Sequence, residues 1–294
     1  ASPLQGLIGL GNKVALDGLK NSLQNIIPNY DKSQQEDTIS SLSALEAAVI
    51  DKKEAVDIAK DFIKDEEEYD YEVREKKGIK LKAAQEAKVK VPAYEVKAVH
   101  KTNKDEIIYA DVSKKGGKIV WLLKKRDFGS KKIDYKEAQE SALDFVKRNK
   151  YNSMEVKSHH SFNDFLIVSL VPSQNEVLIK PNAVIVEVAL DNGEVVGFNG
   201  IDYLLHYKKR PVEELMPDLS QAEAREKISP RLKLVKKPEL VIDKIDNQEK
   251  LCYEFIGVIK DGERQNNYRV KINAKTGNEE EVKAVKQDIY RKSD

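Results

Sequence analysis

The residue types that could carry chemistry are few, and the first of them is a lone cysteine. Cys252 lies in an apolar stretch between Leu251 and Tyr253, with no neighbouring base in the sequence that could activate a thiolate. A single cysteine cannot form an internal disulfide bond. We therefore interpret Cys252 as a buried structural thiol, and it does not decide the redox compartment.

The histidines and acidic residues do not have the spacing of a metal site. His159 and His160 are adjacent, and adjacent side chains of a strand point to opposite faces, so the pair cannot chelate one ion without a local bend. His100 and His206 are isolated. The acidic run 65–68 lacks the alternating oxygens and central glycine of a calcium loop, which favours a solvated loop.

Nucleotide-binding and hydrolase motifs are also missing from the sequence. Gly6, Gly9 and Gly11 form G-x-x-G-x-G, which is the wrong order for a dinucleotide fingerprint, and no strand precedes them. The sequence has no G-x-S-x-G, H-E-x-x-H, Walker loop or paired-cysteine zinc spacing. The prediction is therefore a protein with no catalytic, cofactor-binding or metal-binding residues and no cofactor.

The overall charge and hydropathy narrow the class of partner. Lys and Arg number 51 against 50 Asp and Glu, so no net field attracts nucleic acid or an anionic membrane. No apolar run approaches the ~18 residues that span a bilayer. The first residues carry no basic region before an apolar core, so we expect any export address to lie outside this sequence.

A stretch near the middle of the chain predicts a helix followed by an antiparallel hairpin. Asp134 is a favourable N-cap, and Glu137 can complete a capping box. One helical face then carries Ala138, Ala142, Phe145 and Val146. A later strand has apolar residues at alternate positions: Val184, Val186, Val188 and Leu190. Asn192-Gly193 follows it and favours a two-residue type I′ turn.

The same helix-and-hairpin unit recurs on both sides of this stretch. Asp51 with Glu54 repeats the capping pair upstream, and Ser220 with Glu223 repeats it downstream. The apolar helical positions recur as Ala55, Ala59, Phe62 and Ile63, and as Ala224 and Ile228 before the helix-breaking Pro230. The intervals between caps are 83 residues (51 to 134) and 86 residues (134 to 220). These exceed solenoid periods of roughly 20–50 residues, which indicates small domains in tandem.

The predicted fold class is α+β, with three tandem units that each pack a helix on an antiparallel sheet. The predicted divisions are a helical leader at 1–50 and repeats at 51–130, 131–212 and 213–294. The leader prediction rests on two apolar helical faces between residues 12 and 49: Leu16, Leu19, Leu23, Ile26 and Ile27, then Ile39, Leu42, Leu45 and Val49.

Finer predictions concern strands and connections within the repeats. The first repeat carries a Lys- and Ala-rich insertion from Glu72 to Val91, interpreted as a long hairpin or a flexible excursion. Strands are predicted after it at Ala93–Val99, Ile107–Val112 and Lys118–Leu123, with Trp121 in the core. Tyr203–Pro211 is predicted to be a linker, with the unit boundaries near Phe128–Asp134 and Tyr207–Ser220. The residues after Lys286 are predicted to fray. The third repeat ends in a strand with Tyr268, Val270 and Ile272 inward and Arg269, Lys271 and Asn273 outward.

Repeats of this kind offer sheet edges and faces more readily than concave polar pockets. A sheet edge can pair with a partner's strand, and a face can receive a partner's apolar surface. The residues by themselves therefore favour a binding or scaffolding protein over an enzyme.

Each repeat resembles a PepSY domain, with a capped helix and a terminal hairpin. The second and third repeats more narrowly resemble the C-terminal part of the YpeB family of spore germination proteins. Three segments carry this resemblance: Val188–Phe198 (VALDNGEVVGF), Leu251–Phe255 (LCYEF) and Ile272–Glu280 (INAKTGNEE). The resemblance extends over about 134–285 and is weaker over 51–128.

The resemblance implies that this protein is a non-enzymatic partner of a cortex-lytic enzyme of the SleB type. The protein would stabilise, place and restrain that enzyme. It implies a location in the spore, at the inner membrane and cortex region outside the spore cytoplasm, close to peptidoglycan. Membrane attachment would come only from a preceding N-terminal segment, and no catalytic residues carry over. A general peptidase-inhibitory PepSY module and a cell-wall glycan-binding module remain as alternatives.

Overall fold

The computed structural model describes residues 48–76, 91–151, 153–261 and 264–285. The chain divides into two compact units, Ala1–Arg126 and Asp127–Asp294. Both are mostly β-sheet with few helices in the described ranges. The helices predicted within 12–47 and the fraying predicted after Lys286 lie outside the described residues.

The first unit is an antiparallel meander that packs against one short helix. The helix α1, Lys52–Lys60, begins at the Asp51–Glu54 capping box and buries Ala55 and Ala59. Four strands follow in sheet order, each paired with the next: β1 (Tyr69–Lys76), β2 (Ala93–His100), β3 (Ile107–Ser113) and β4 (Ile119–Lys125). The helix packs against β1, β2 and β3.

The start of the insertion favours the hairpin interpretation over the flexible one, and the prediction for Trp121 is wrong. Glu72–Lys76, the start of the predicted insertion, belongs to β1 and pairs with β2, because Tyr69 and Tyr71 alternate with exposed charged residues. Residues 77–90 of the insertion lie outside the described ranges. Trp121 is half-buried and not a core residue, because it lies on the opposite face of β4 from the buried Val120 and Leu122. The three strands predicted after the insertion are confirmed within two residues at each end.

The first part of the second unit places a longer helix across four antiparallel strands. The helix α2, Tyr135–Arg148, begins at the Asp134–Glu137 capping box and buries all four predicted apolar positions. Its strands, in sheet order, are β5 (Met154–Phe162), β6 (Phe165–Gln174), β8 (Val184–Ala189) and β9 (Val195–Asn199). The helix contacts all four strands, and the Phe145 and Phe198 rings lie 5.0 Å apart.

The second part of this unit has short helices and a long hairpin. The helices are α3 (Ile201–His206), α4 (Val212–Leu215) and α5 (Gln221–Glu226), the last begun by the Ser220–Glu223 capping box. The linker prediction is wrong for Tyr203–His206, which belong to α3 because Tyr203, Leu204 and Leu205 are buried. The main strands pair in the order β11 (Glu239–Ile245), β12 (Gln248–Asp261), β13 (Arg264–Asn273) and β14 (Glu279–Val285). A short strand β10 (Lys233–Leu234) also pairs with β12. Ala224 and Ile228 pack on the inward residues of the sheet, among them Phe255, Val270 and Ile272.

One short strand joins the two parts of the second unit into a continuous sheet. The strand β7, Val177–Ile179, forms a hairpin with β6 and pairs in parallel with β11. Hydrogen bonding therefore continues across the predicted division at 212. The four predicted domain divisions themselves remain predictions.

The predicted type I′ turn at Asn192-Gly193 is wrong in type. A type I′ turn needs positive φ at both central residues, and only Gly193, at φ 76°, has it. The loop instead closes between Ala189 and Glu194, with Ala189 N donating to Glu194 O at 2.8 Å. Two-residue turns with both φ values positive occur at Asn175-Glu176 and Asp246-Asn247.

The predicted outward positions of β13 are only partly solvent-facing. Tyr268, Val270 and Ile272 point to the helix side as expected. Lys271 is nevertheless only 2% exposed, because charged residues of neighbouring strands cover the other face of the sheet. The strand β8 is likewise buried on both faces. The apolar residues that alternate along it account for only one of these two buried faces.

Candidate functional site

A clasp between the helix start and the hairpin tip recurs in all three repeats. In each, the residue before the N-cap donates its backbone N–H to the residue that opens the terminal turn. The three bonds are Ile50 N to Lys114 O (2.9 Å), Ile133 N to Leu190 O (3.1 Å) and Leu219 N to Ala274 O (3.0 Å). The thrice-repeated pattern of the sequence therefore corresponds to a thrice-repeated contact.

A glycine with positive φ completes each clasp. Gly117, Gly193 and Gly277 have φ values of 55°, 76° and 75°. A Cβ at any of them would meet the apolar residue before the cap and the helical residue seven positions after the cap. The pairs are Ile50 and Ile58, Ile133 and Ser141, and Leu219 and Lys227. Glycine is required here both by the backbone conformation and by the close approach of the helix.

The sheet face opposite the helices carries buried charge at matching positions. One member of each matching pair lies three residues before the residue that opens the turn, and the other lies directly opposite on the neighbouring strand. The pairs are Asp111 with Glu95, Glu187 with Ile167, and Lys271 with Glu254. A buried charge is stable only when it is paired or neutralised. Each repeat meets this requirement differently.

In the first unit, a lysine from β1 lies between two buried carboxylates. Lys76 Nζ lies 2.7 Å from Asp111 Oδ1 and also pairs with Glu95, which Arg74 contacts from its other side. Burial raises the pKa of Asp111 to about 6, against the lowering effect of Lys76. Burial also acts to raise the pKa of Glu95, but Arg74 and Lys76 outweigh it and hold this pKa below its usual range.

In the second repeat, the buried carboxyl of Glu187 lies over a glycine. Burial raises the pKa of Glu187 to about 8. The side chain packs so closely on Gly197, its cross-strand neighbour, that a Cβ there would lie 2.6 Å from Glu187 Oε2. At neutral pH the carboxyl is therefore mainly protonated in the folded state.

In the third repeat, Glu254 is fully buried within a cluster of ion pairs. Lys157 Nζ lies 2.8 Å from Glu254 Oε1, and Lys180 contacts Glu254 Oε2. Asp243 lies 2.6 Å from Lys271 Nζ and 3.3 Å from Lys180 Nζ. Although burial acts to raise the pKa of Glu254, Lys180 and Lys157 outweigh it and hold this pKa far below its usual range. The carboxylate is therefore charged and fixed in place.

The members of this cluster were not predicted from the sequence: Lys157, Lys180, Asp243, Glu254 and Lys271. The one available signal was a glutamate between two large apolar positions of a strand, in Tyr94-Glu95-Val96 and in Tyr253-Glu254-Phe255. The partners are remote in sequence. Lys157 and Glu254 are separated by 97 positions.

The cysteine and the histidine pair considered from the sequence lie in environments that do not favour catalysis or metal binding. Cys252 is buried, and burial raises the pKa of its thiol to about 12. His159 and His160 pair with consecutive residues of β6, so their side chains leave opposite faces of β5. Within the described ranges, no group of three or more His, Cys, Asp or Glu side chains could hold a metal ion.

The other histidines and the acidic run also have ordinary environments. His100 packs edge-on against Tyr69, with ring centroids 5.1 Å apart, and His206 Nδ1 lies 3.1 Å from Asp202 O. Glu66–Glu68 form a turn of 3-10 helix with no buried residue, and Glu66 O accepts a hydrogen bond from the Tyr71 hydroxyl. The run is thus a solvated connection, as predicted.

Sheet edges are the surfaces through which another chain could pair. In the part of the chain that the structure describes, β1, β5 and β14 each have one paired neighbour. On β14, Val282 is 53% exposed. An exposed strand of this kind can accept a partner's strand. Within the same ranges, no helix has both the length and the apolar character needed to cross a bilayer.

Comparison with known proteins gives matches along most of the chain. The family described as "YpeB sporulation, PepSY1 and PepSY2 domains" matches residues 13–213, and "Peptidase propeptide and YPEB domain" matches 218–283. Sporulation protein YpeB of Bacillus subtilis (strain 168) is 34% identical over 212 residues, which cover 67% of this chain and 46% of that protein. Sporulation protein YpeB of Halalkalibacterium halodurans is 32% identical over 179 residues, covering 61% of this chain and 39% of that protein. The chain spans less than half the length of these curated relatives.

A solved structure is also similar. The Bacillus megaterium YpeB C-terminal domain superposes with a TM-score of 0.66 at 27% sequence identity. The match covers 82% of this chain and all of that one.

Proposed function

Because the chain belongs to the YpeB family of sporulation proteins, we propose that it is a non-enzymatic germination protein that binds, stabilises and restrains a cortex-lytic enzyme of the SleB type. The observation that carries the proposal is the family match over residues 13–213, which the PepSY match over 218–283 extends. The partner follows from what the family resemblance implies.

We also propose that the architecture is three tandem PepSY-like units of the α+β class, preceded by a helical segment. The recurrent clasp supports this division. Each copy combines a capping box, one backbone bond from helix start to hairpin tip, and a positive-φ glycine beneath the helix. Three copies of one contact set are expected of duplicated units.

The environments of the ionisable residues support a non-catalytic role. Glu254 and Asp111 are held in ion pairs, and Cys252 keeps its proton because burial raises its pKa to about 12. A thiol needs to be a thiolate to act as a nucleophile. These groups therefore serve the packing of the sheet.

The proposed docking surface is the edge and exposed face of β14. Val282 offers an apolar contact there, and the backbone of β14 offers hydrogen bonds to a partner strand. The near balance of 51 basic and 50 acidic residues means that association should depend weakly on salt. The proposed location is the inner membrane and cortex region of the spore, outside its cytoplasm, with any membrane anchor in a preceding segment.

The proposal is tested with purified chain and purified cortex-lytic enzyme. Immobilised chain should retain the enzyme in moderate salt, lower its release of soluble fragments from spore cortex, and release none by itself. Val282→Lys should reduce retention several-fold while leaving the melting temperature unchanged, because the residue is half exposed. Glu155→Lys, an exposed substitution on β5, is the matched control. Cortex hydrolysis by the chain alone, or no retention of the enzyme by folded chain, would refute the proposal.

A general peptidase-inhibitory role is the second candidate, favoured by the peptidase-propeptide description that matches residues 218–283. Inhibition of a purified peptidase without retention of the lytic enzyme would select it. The glycan-binding alternative is less favoured. The exposed large apolar residues of the described part are four valines and a methionine, which do not form the row of aromatics that stacks on sugar rings.

A further inference from the structure

Three sets of contacts connect the second and third repeats inside the second compact unit. The first is backbone pairing. The strand β7 belongs to the second repeat and pairs in parallel with β11 of the third, Leu178 opposite Val241 and Ile179 opposite Ile242. All four residues are buried. Separating the repeats would expose this apolar surface and leave backbone groups unpaired.

The second set is the buried ion cluster, in which the cations come mainly from one repeat and the carboxylates from the other. Lys157 and Lys180 lie in the second repeat and pair with Glu239, Asp243 and Glu254 of the third. Glu254 has no exposed surface. Moving the repeats apart would therefore leave a buried carboxylate without its nearest cations, which is strongly unfavourable.

A β-bulge in β5 orients the side chain of Lys157. The register between β5 and β6 shifts between Val156 and Ser158, which places Lys157 at the irregularity. Bulges redirect side chains in this way. The redirected Lys157 Nζ reaches both Glu239 and Glu254.

The third set anchors the connecting segment itself. The Arg210 side chain is fully buried, and its Nη2 donates to both carboxylate oxygens of Glu249, at 2.8 and 2.9 Å. The Arg210 backbone N–H donates to Gln174 Oε1 at 2.9 Å. The segment predicted as a linker is therefore tied to strand β6 of the second repeat and to strand β12 of the third.

We propose that the ion cluster around Glu254, together with β7 and Arg210, is an interlock that makes the second and third repeats one cooperative unit. Neither repeat opens without the other. A partner bound to one of them therefore stabilises both, and a cut in the exposed residues 211–214 leaves the two pieces associated. This inference does not depend on the identity of the partner.

The test uses native-state hydrogen exchange of the full chain, with Gly277→Ala as a remote perturbation of the third repeat. Gly277 lies at the hairpin tip with φ 75°, so alanine strains the turn without touching the ion cluster. Exchange should accelerate by the same factor, about 10-fold, in peptides covering β13 and in peptides covering β8 of the second repeat. Acceleration confined to β13 would overturn the interlock.

The role of the ion cluster is tested by the same perturbation in a second background. Lys157→Met, Lys180→Met and Glu254→Met together replace buried charges by apolar side chains of similar length, which commonly preserves folding. In this background, Gly277→Ala should accelerate hydrogen exchange at least about threefold more in peptides covering β13 than in peptides covering β8. Equal acceleration would show that the cluster does not couple the repeats. Lys136→Met, in an exposed ion pair on α2, is the control and should change neither rate.

A measurement on the otherwise unchanged sequence covers the case in which the triple variant does not fold. A recognition site for a specific protease is inserted between Glu213 and Glu214, both exposed, and the chain is cleaved. The two pieces should elute together in size-exclusion chromatography under native conditions. Elution as separate pieces would overturn the proposal.

Discussion

Glu254 and Glu187 both lie on the buried face of the sheet, yet their surroundings set opposite ionisation states. Lys157 and Lys180 keep Glu254 charged, with a pKa far below the usual range despite burial. At Glu187, burial raises the pKa to about 8. The first carboxylate stabilises the fold when ionised, and the second when protonated.

Glu187→Gln should increase stability at neutral pH. The folded pKa of Glu187, about 8, lies above the unfolded value of about 4.3, so its contribution is full below about pH 4.3 and is lost as the pH rises through 8. Glutamine mimics the protonated form and does not titrate. Urea unfolding should show a gain of about 4 kcal/mol at pH 7.5 and less than about 1 kcal/mol at pH 4.5. Exposed Glu155→Gln is the control, and an equal gain at both pH values would contradict the assignment.

Cys252 should be unreactive in the folded protein. Burial raises its pKa to about 12, so the thiolate is rare near pH 8, and the side chain is inaccessible. A thiol-specific chromogenic reagent should label it only in denaturant, or natively at the rate of unfolding. Rapid stoichiometric labelling of native protein would contradict this expectation.

At the scale of elements, the clasp is what fixes each helix to its hairpin. The backbone bond from Ile133 to Leu190 joins the helix start to the turn, and Gly193 leaves room for Ile133 and Ser141. The turn is therefore part of the helix–sheet interface as well as a strand connection. A substitution at its glycine affects both.

Gly193→Val should destabilise the fold by about 1–2 kcal/mol or more, because a β-branched residue is poorly tolerated at φ 76°. Its Cβ would also lie 3.3 Å from Ser141 Oγ. Gly129→Val is the matched control, since a Cβ there makes only ordinary contacts at 3.5 Å. Thermal unfolding compares the two variants. Equal melting temperatures would show that the left-handed conformation carries no cost.

Across the whole molecule, buried carboxylates in ion pairs make the free energy of unfolding depend on pH in the acidic range. The folded pKa values of Glu254, Asp243 and Glu281 are lowered, so their contributions are full above the unfolded values near 4 and are lost as the pH falls through the folded values. Buried pairs are weakly screened, so added salt should have a smaller effect than added acid.

Glu254→Gln tests this dependence. At pH 7 the substitution should cost about 3–5 kcal/mol, because Lys157 and Lys180 lose the carboxylate that balances their buried charges. The difference from the parent protein should shrink below about pH 4, where the parent begins to lose the same interaction. Urea unfolding at pH 7 and pH 3 measures both values. A cost that does not vary with pH would contradict the proposed charge state.

The local features of this protein could be predicted from short segments of its sequence. The three capping boxes are confirmed, as are the apolar helix positions from Ala138 to Val146. The resemblance to PepSY and YpeB families is confirmed by the family matches. Caps and helical faces depend on residues three to eight positions apart, so their physics is complete within a short segment.

Three features depend on contacts between segments remote in sequence: the turn type at Gly193, the strand β7 that continues the sheet, and the buried charge on the second face of the sheet. Asn192-Gly193 has the composition of a type I′ turn, but the clasp to Ile133 imposes a longer loop. Lys157 and Glu254 look like ordinary surface residues in the sequence, since a charge shows its burial only through partners that folding brings together. These partners are 97 positions apart, a distance at which no local pattern reports a contact.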